Sequence, residues 1–416
     1  MESQHKRLFK YPIDGFTICA VMILFQRSIL LFLGYVGNRI GLRDVPLAGV
    51  FVFWFVFVIA GASLFISNYQ ANIRIDVRKI SFPLIVCIIN LLSVLYTSLL
   101  NKYIFETIQF DIIQYVLLLP VIVAVFCGIG DYEKLNHWLT VVARVAWIMP
   151  FLNIYTGYSR SGNSFETYDM VGGYELVFCS MILLRSVFKR FNFLDLLLCA
   201  VTFIVALGCG SRGSVLAFVV YLSILIFTKF YADQKRIYKI AFVALALIIV
   251  LVLLLCFDGI VLGLKGVFNG IGVSTRTLDS LLYSSIVEGS NENRRMMYET
   301  VVRSWKSMPI TGHGILYDRM IVGIYCHNIV IEIITDFGFA LGTVFIAWFI
   351  FSMARSLLYA DSNKKSFIVM LTCFILTQLL VSGTYLTSNE FFALLGAIAI
   401  TSRNTQGGLN LFKNKV

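Results

Sequence analysis

Charge is scarce in this 416-residue chain: Asp, Glu, Lys and Arg together make up 14% of it, against 59% hydrophobic residues. A soluble domain averages about a quarter charged residues. The chain therefore cannot cover itself with polar surface, and lipid must serve as its solvent. Paired cysteines are missing too. All nine cysteines are scattered in or beside apolar runs with no CxxC, which argues against a disulfide framework and a thiolate metal site. They read as small buried hydrophobes. Only four histidines occur, no two of them at ligand spacing, so no metal site is visible and no cofactor is expected. P-loop, dinucleotide fingerprint, internal repeat and low-complexity tract are all absent.

What fills the chain is long apolar runs, such as VPLAGVFVFWFVFVIAGASLFIS at 45–67 and IAFVALALIIVLVLLLCF at 240–257. Runs of roughly 18 to 25 apolar residues span hydrocarbon as helices. The fold class is all-α, a polytopic integral membrane protein of about 12 transmembrane helices, read as a single domain over 1–416. Expected spans are 14–36, 45–67, 80–100, 111–130, 138–156 and 170–188. The second half adds 193–209, 214–230, 239–262, 327–354, 366–386 and 389–402. Lys6, Arg7 and Lys10 precede an apolar stretch too long for a signal peptide and without a small-residue cleavage site, so it reads as a retained first span.

Orientation follows from the basic residues. With the N-terminus in the cytoplasm, alternate connections and both termini hold about twenty of the lysines and arginines, as the positive-inside rule expects. The net charge of +11 is then mostly a topology signal and does not imply nucleic acid. One connection departs from the pattern. Residues 263–326, between the ninth and tenth spans, form a large outer loop that still carries Lys265, Arg276, Arg294, Arg295, Arg303, Lys306 and Arg319. Long loops cross largely regardless of charge, and in a chain of spans and short turns this loop is where chemistry would sit.

Four polar groups fall on that outer face. GCGSRGS at 208–214 breaks two apolar helices and holds Ser211 and Arg212 among glycines (Gly208, Gly210, Gly213) that permit unusual backbone angles. An ordinary interfacial anchor is the alternative there. YSRSGNSFETYD at 158–169 presents Arg160, which could equally be a solvated loop arginine. Within 291–314, Met297, Tyr298, Val301, Val302 and Trp305 recur at helical spacing and predict an interfacial amphipathic helix ended by Pro309 and Gly312. Arg294 and Arg295 then occupy its first turn, against the helix dipole, and residues placed against local preference are candidates for function. Finally, His327 and Asn328 open the tenth span, with Glu332 and Asp336 on one face below. Five residues turn a helix by about 500°, so these carboxylates point away from His327. Packing against an intramembrane arginine such as Arg27 or Arg144 is the plain reading of the pair. His313 reads as a turn residue.

In combination these motifs resemble the bacterial O-antigen polymerase and O-antigen ligase superfamily of membrane glycosyltransferases. That superfamily carries Ser-Arg-Gly after a mid-chain span, then a large outer loop with an arginine and an aromatic. Pro-x-x-Gly-x-Gly follows, then His-Asn opening the next helix. Here these are Ser211-Arg212-Gly213, Arg294 with Tyr298, Pro309, Gly312, Gly314, His327-Asn328, Asp336 and Gly338, and Arg160-x-Gly162 looks like an earlier outer loop of the family. Two departures are Tyr298, where many members have tryptophan, and the next glycine at Gly342, one place late.

The resemblance implies an inverting transferase whose donor and acceptor are glycans on undecaprenyl pyrophosphate. It would work at the periplasmic face of the bacterial inner membrane, with a chain-length regulator and a flippase as further partners. Arg212, Arg294 and Arg160 would neutralise the pyrophosphate in place of a metal. His327 would act as general base, with Arg295, Asn328, Tyr298 and Ser211 in substrate binding. Glu332 and Asp336 keep the structural reading given above, with no assigned role in the chemistry. A ligase joining the glycan to lipid A–core is the alternative, and a lipid-linked glycan transporter is a third reading. The transporter is disfavoured because the polar residues cluster at one face.

Overall fold

A computed structural model describes residues 14–39, 58–63, 77–100, 112–152, 169–209, 211–228, 257–270 and 284–400, together with isolated positions between them. The secondary structure of the described residues is helical, with no strand. Four helices are long and apolar enough to cross a membrane, and up to six spans result if two bent helix pairs each count as one. The expected twelve are not reached among the described residues. Most of 45–67 and of 239–262 lies outside them. Three further helices are apolar but only 10 to 17 residues long.

The chain groups into two compact units. The first gathers residues 1–26, 49–139 and 294–416. Its core is α4 (Leu119–Gly128), which follows a π-helical turn at Gln114–Leu118. Leu119, Ile122, Val123, Val125 and Phe126 are almost wholly buried. Around α4 stand α1 (Gly15–Leu24), α3 (Val77–Leu100) and α14 (Asn389–Ala399). α13 (Ser362–Val381) packs on α14 and stacks Phe367 on Phe126 at 5.9 Å. Lipid tails are as apolar as leucine, so close packing rather than water exclusion holds such helices together. Gly396 illustrates this: a β-carbon there would stand 2.6 Å from the Val123 carbonyl. The opposite face of α3 leaves Leu84, Ile85, Leu92 and Leu99 half or more exposed, as a lipid-facing surface requires.

The second unit covers 27–48 and 140–293. In it α6 (Met170–Lys189) packs on α7 (Phe193–Gly208) and α8 (Arg212–Ile226). Arg144, on α5 (Tyr132–Ala146), grips the wholly buried Asp195 of α7 through two bonds of 2.7 and 3.0 Å. Ser186 donates to the same carboxylate at 2.8 Å. Arg144 thus already has its acid, and the expected pairing with Glu332 or Asp336 is not what the structure shows.

Other expectations also shift. The first span is interrupted at Phe25, with α2 (Gln26–Arg39) beyond the break. Span 366–386 begins earlier and ends sooner: Asp361 caps α13 by accepting from Asn363 and Lys364 amides, and the helix stops at Val381. Gly208 and Gly213 lie inside helices rather than in special backbone angles, and Gly210 is outside the described residues. The helix α9 (Phe257–Gly270) runs through the residue where the ninth span was expected to end.

Candidate functional site

The outer loop ends in α10 (Ser284–Ser304), a set of turns, and α11 (Tyr317–Val322), before α12 (Ile329–Tyr359) begins. α10 starts three residues after Leu281, well upstream of the expected position. Arg294 and Arg295 are therefore mid-helix residues, and the dipole argument built on a first-turn placement does not hold for them. The helix also stops at Ser304, ahead of Pro309. The chain leaves the helix through tightened turns, Ser307 N–H donating to the Ser304 carbonyl at 3.1 Å, and His313 Nε2 lies 2.9 Å from that same carbonyl while its ring stacks on Tyr317 at 4.0 Å.

The Pro-x-x-Gly-x-Gly segment has a structural task. α12 breaks at Gly338 (φ 69°, ψ 177°), a backbone conformation open essentially to glycine alone. At such a break the helical carbonyls lose their partners. The loop supplies them: His313 N–H donates to the Thr335 carbonyl at 2.8 Å and Gly314 N–H to the Asp336 carbonyl at 3.0 Å. Phe339 N–H in turn donates to the Pro309 carbonyl at 2.8 Å. The backbones run so close that a β-carbon on Gly312 would meet the Asp336 carbonyl at 2.6 Å, and one on Gly338 would overlap the Ile310 carbonyl. Trp305 adds a bond from its indole N–H to the Thr335 hydroxyl at 2.9 Å.

This splice fixes the top of α12 against α10. Asn328 caps α12, its side-chain oxygen accepting from the Val330 and Ile331 amides at 3.0 and 3.3 Å. His327 lies just outside the helix with φ 55°, a left-handed conformation uncommon for a residue with a β-carbon. Arg294 and Tyr298, one turn apart on α10, face this corner. The Arg294 charge acts on both the His327 ring and the Tyr298 hydroxyl, which also meets the Asn328 side chain. Burial and then Arg294 hold the His327 imidazole below its ordinary proton affinity, while the Ser382 backbone and Asp318 pull the other way. Burial raises the Tyr298 hydroxyl. His327 Nδ1 is buried without a hydrogen-bond partner among the described residues.

Beneath the corner lies a buried acidic layer. Asp318 and Glu332 are fully buried and Asp336 is 1% exposed. Glu332 accepts from the Thr384 hydroxyl and, at 3.3 Å, from the Tyr385 amide, with Arg319 at 3.7 Å. The Tyr385 hydroxyl donates to Asp336 at 2.6 Å. No hydrogen bond among the described residues joins His327 to either α12 carboxylate.

The structure thus brings together Arg294, Tyr298, His327 and Asn328. Arg295 instead points outward, its side chain 80% exposed, and pairs with Glu299 along the helix. Ser211 is buried and precedes the first residue of α8, Arg212, whose side chain is not among those described. Arg160 lies outside the described residues. Sequence reasoning missed Asp318, Thr384 and Tyr385, and saw Arg319 only as loop charge. The polar stretch SGTYLTSNE at 382–390 was the available signal, hidden by counting residues to 386 as membrane span.

Residues 197–346 match a protein-family model described as O-Antigen ligase. The matched stretch runs from α7 past Gly338 and so contains Ser211-Arg212-Gly213, the α10 corner and the splice. The match supports the O-antigen polymerase and ligase superfamily for this chain, whose members are glycosyltransferase-like enzymes acting on lipid-linked oligosaccharides. No curated protein and no solved structure matches the chain.

Proposed function

We propose that this protein is an inverting membrane glycosyltransferase that polymerises undecaprenyl-pyrophosphate-linked repeat units into O-antigen, capsular or exopolysaccharide. In this reading it spans the inner membrane about twelve times with both termini in the cytoplasm, and the α10–α12 corner faces the periplasm. The observation that carries it is the pairing of Arg294 with His327. No ion pair or hydrogen bond among the described residues engages the Arg294 guanidinium, and its charge helps keep the neighbouring imidazole neutral. A neutral imidazole can take the proton from an acceptor hydroxyl as that oxygen attacks the anomeric carbon. The bond from that carbon to the pyrophosphate then breaks with inversion. The anionic leaving group is met by the Arg294 fork, with Arg212 and Arg160 as further cations.

Because the matching family model is described as a ligase, transfer to lipid A–core is the second reading. A deletion strain separates the two. Single repeats on core indicate a lost polymerase, whereas bare core with accumulated lipid-linked polymer indicates a lost ligase. In the same strain, His327→Ala at normal membrane abundance is expected to lose on the order of 10² to 10⁴ in rate. Full-length polymer from that variant would remove the base from the scheme.

A further inference from the structure

We infer that Asp318 is a positioning residue for His327, acting through the backbone turn it holds at Cys326. This rests on the reading of His327 as the base. Asp318 sits wholly buried in the short helix α11, and both of its oxygens are committed. Oδ2 accepts the Cys326 amide at 2.8 Å, and Oδ1 accepts the Arg319 amide at 2.9 Å with the Arg319 guanidinium at 3.4 Å. Eight residues separate Asp318 from Cys326, and Gly323 at φ 79° turns the chain between them. The carboxylate therefore closes a small loop whose next residue is His327, in its left-handed conformation.

An amide bonded to a carboxylate is worth about twice a neutral hydrogen bond. Left-handed backbone at a residue with a β-carbon is strained and persists only where its surroundings over-determine it. The Asp318 bond is the over-determining contact on the N-terminal side; the Asn328 cap is the one on the C-terminal side. Arg319 extends the support. It reaches the Thr384 hydroxyl at 3.2 Å and lies 5.7 Å over the Tyr325 ring. Tyr325 stands edge-on to His327 at 4.3 Å and donates its hydroxyl to the Ser382 carbonyl at 3.1 Å. The groups facing the imidazole are thus Arg294 from α10, Asp318 from α11, Tyr325 from the loop that follows it, and the Ser382 backbone.

The test uses Asp318→Asn in the full-length protein, purified in lipid nanodiscs. Turnover of lipid-linked donor is expected to fall about a hundredfold in kcat, the penalty of a base misplaced by roughly 1 Å, with KM for the donor unchanged. With only four histidines, ¹⁵N-histidine labelling resolves His327, assigned by its loss in His327→Gln. Its titration midpoint is expected to move to lower pH in Asp318→Asn, because the carboxylate favouring the imidazolium is gone. Unchanged kcat together with an unmoved midpoint overturns the inference. Should the variant not accumulate, the wild-type protein decides. The Cys326 amide, assigned with Cys326→Ser under ¹⁵N-cysteine labelling, is expected to be protected from exchange and shifted downfield; a fast-exchanging amide overturns the inference. The nuclear readouts do not depend on activity, so a fully active His327→Ala would sink the base assignment while leaving the Asp318 contact to stand or fall separately.

Discussion

Replacing Gly338 by alanine attacks the splice at its tightest point. The residue holds φ 69° and ψ 177°, and its β-carbon would stand well inside van der Waals contact with the Ile310 carbonyl oxygen. Keeping that backbone with a β-carbon costs about 1–3 kcal/mol. Relieving the overlap means moving the 309–314 loop away, which endangers the bonds His313 to Thr335, Gly314 to Asp336 and Phe339 to Pro309. At about 1 kcal/mol each, the whole change amounts to roughly 4–6 kcal/mol. The expected result in detergent or nanodisc is a fall in the thermal unfolding midpoint of roughly 5–10 °C, with reduced monodisperse yield. Gly266→Ala is the control: it lies within α9, nothing among the described residues stands within 4 Å of its added β-carbon, and alanine is the better helix former. A Gly338→Ala protein with the midpoint and yield of wild type would refute the claim that this close backbone contact holds the corner together.

Arg294→Lys keeps the charge but loses the planar fork, so polymer formation is expected to drop by at least tenfold at normal abundance if the guanidinium engages pyrophosphate bidentately. Wild-type activity from the lysine variant, measured by complementation normalised to membrane protein level, would remove that role. The pH profile carries a sign as well. Burial and Arg294 depress the His327 proton affinity, so the base stays competent as pH falls through the ordinary imidazole value of about 6.5. Activity should be lost only below it, and a limb centred above pH 7 in a purified assay contradicts the assignment. Tyr385→Phe strips Asp336 of its hydroxyl donor in a buried layer, at a cost of about 1–3 kcal/mol. Folded yield and thermal midpoint should fall without a change in donor KM; a drop in KM-dependent rate alone would instead bring Tyr385 into substrate binding.

The α10–α12 corner shows where local reading is enough and where it fails. His327, Asn328, Arg294 and Tyr298 were legible because a titratable or cationic side chain in so apolar a chain is conspicuous, and because their types suit an anionic leaving group and a proton transfer. The apolar runs likewise announced membrane helices, since a backbone in lipid must satisfy its own hydrogen bonds. Gly312, Gly314 and Gly338 were visible as a motif, but their reason was not. It lies in three hydrogen bonds between segments more than twenty residues apart, which no periodicity encodes.

Partner choice among buried charges was likewise a tertiary decision. Arg144 took Asp195 from a neighbouring helix, and Glu332 took Thr384 and Tyr385, more than fifty residues on, together with Arg319 of the short helix α11. A carboxylate in low dielectric must be paired by whatever donor the packing brings within reach. The chain's composition and apolar runs alone therefore determined its membrane-helix character and where most of the described helices lie. Which of its polar residues meet, and which merely face outward like Arg295, was decided only when helix breaks and close-packed glycines brought distant segments into hydrogen-bonding distance.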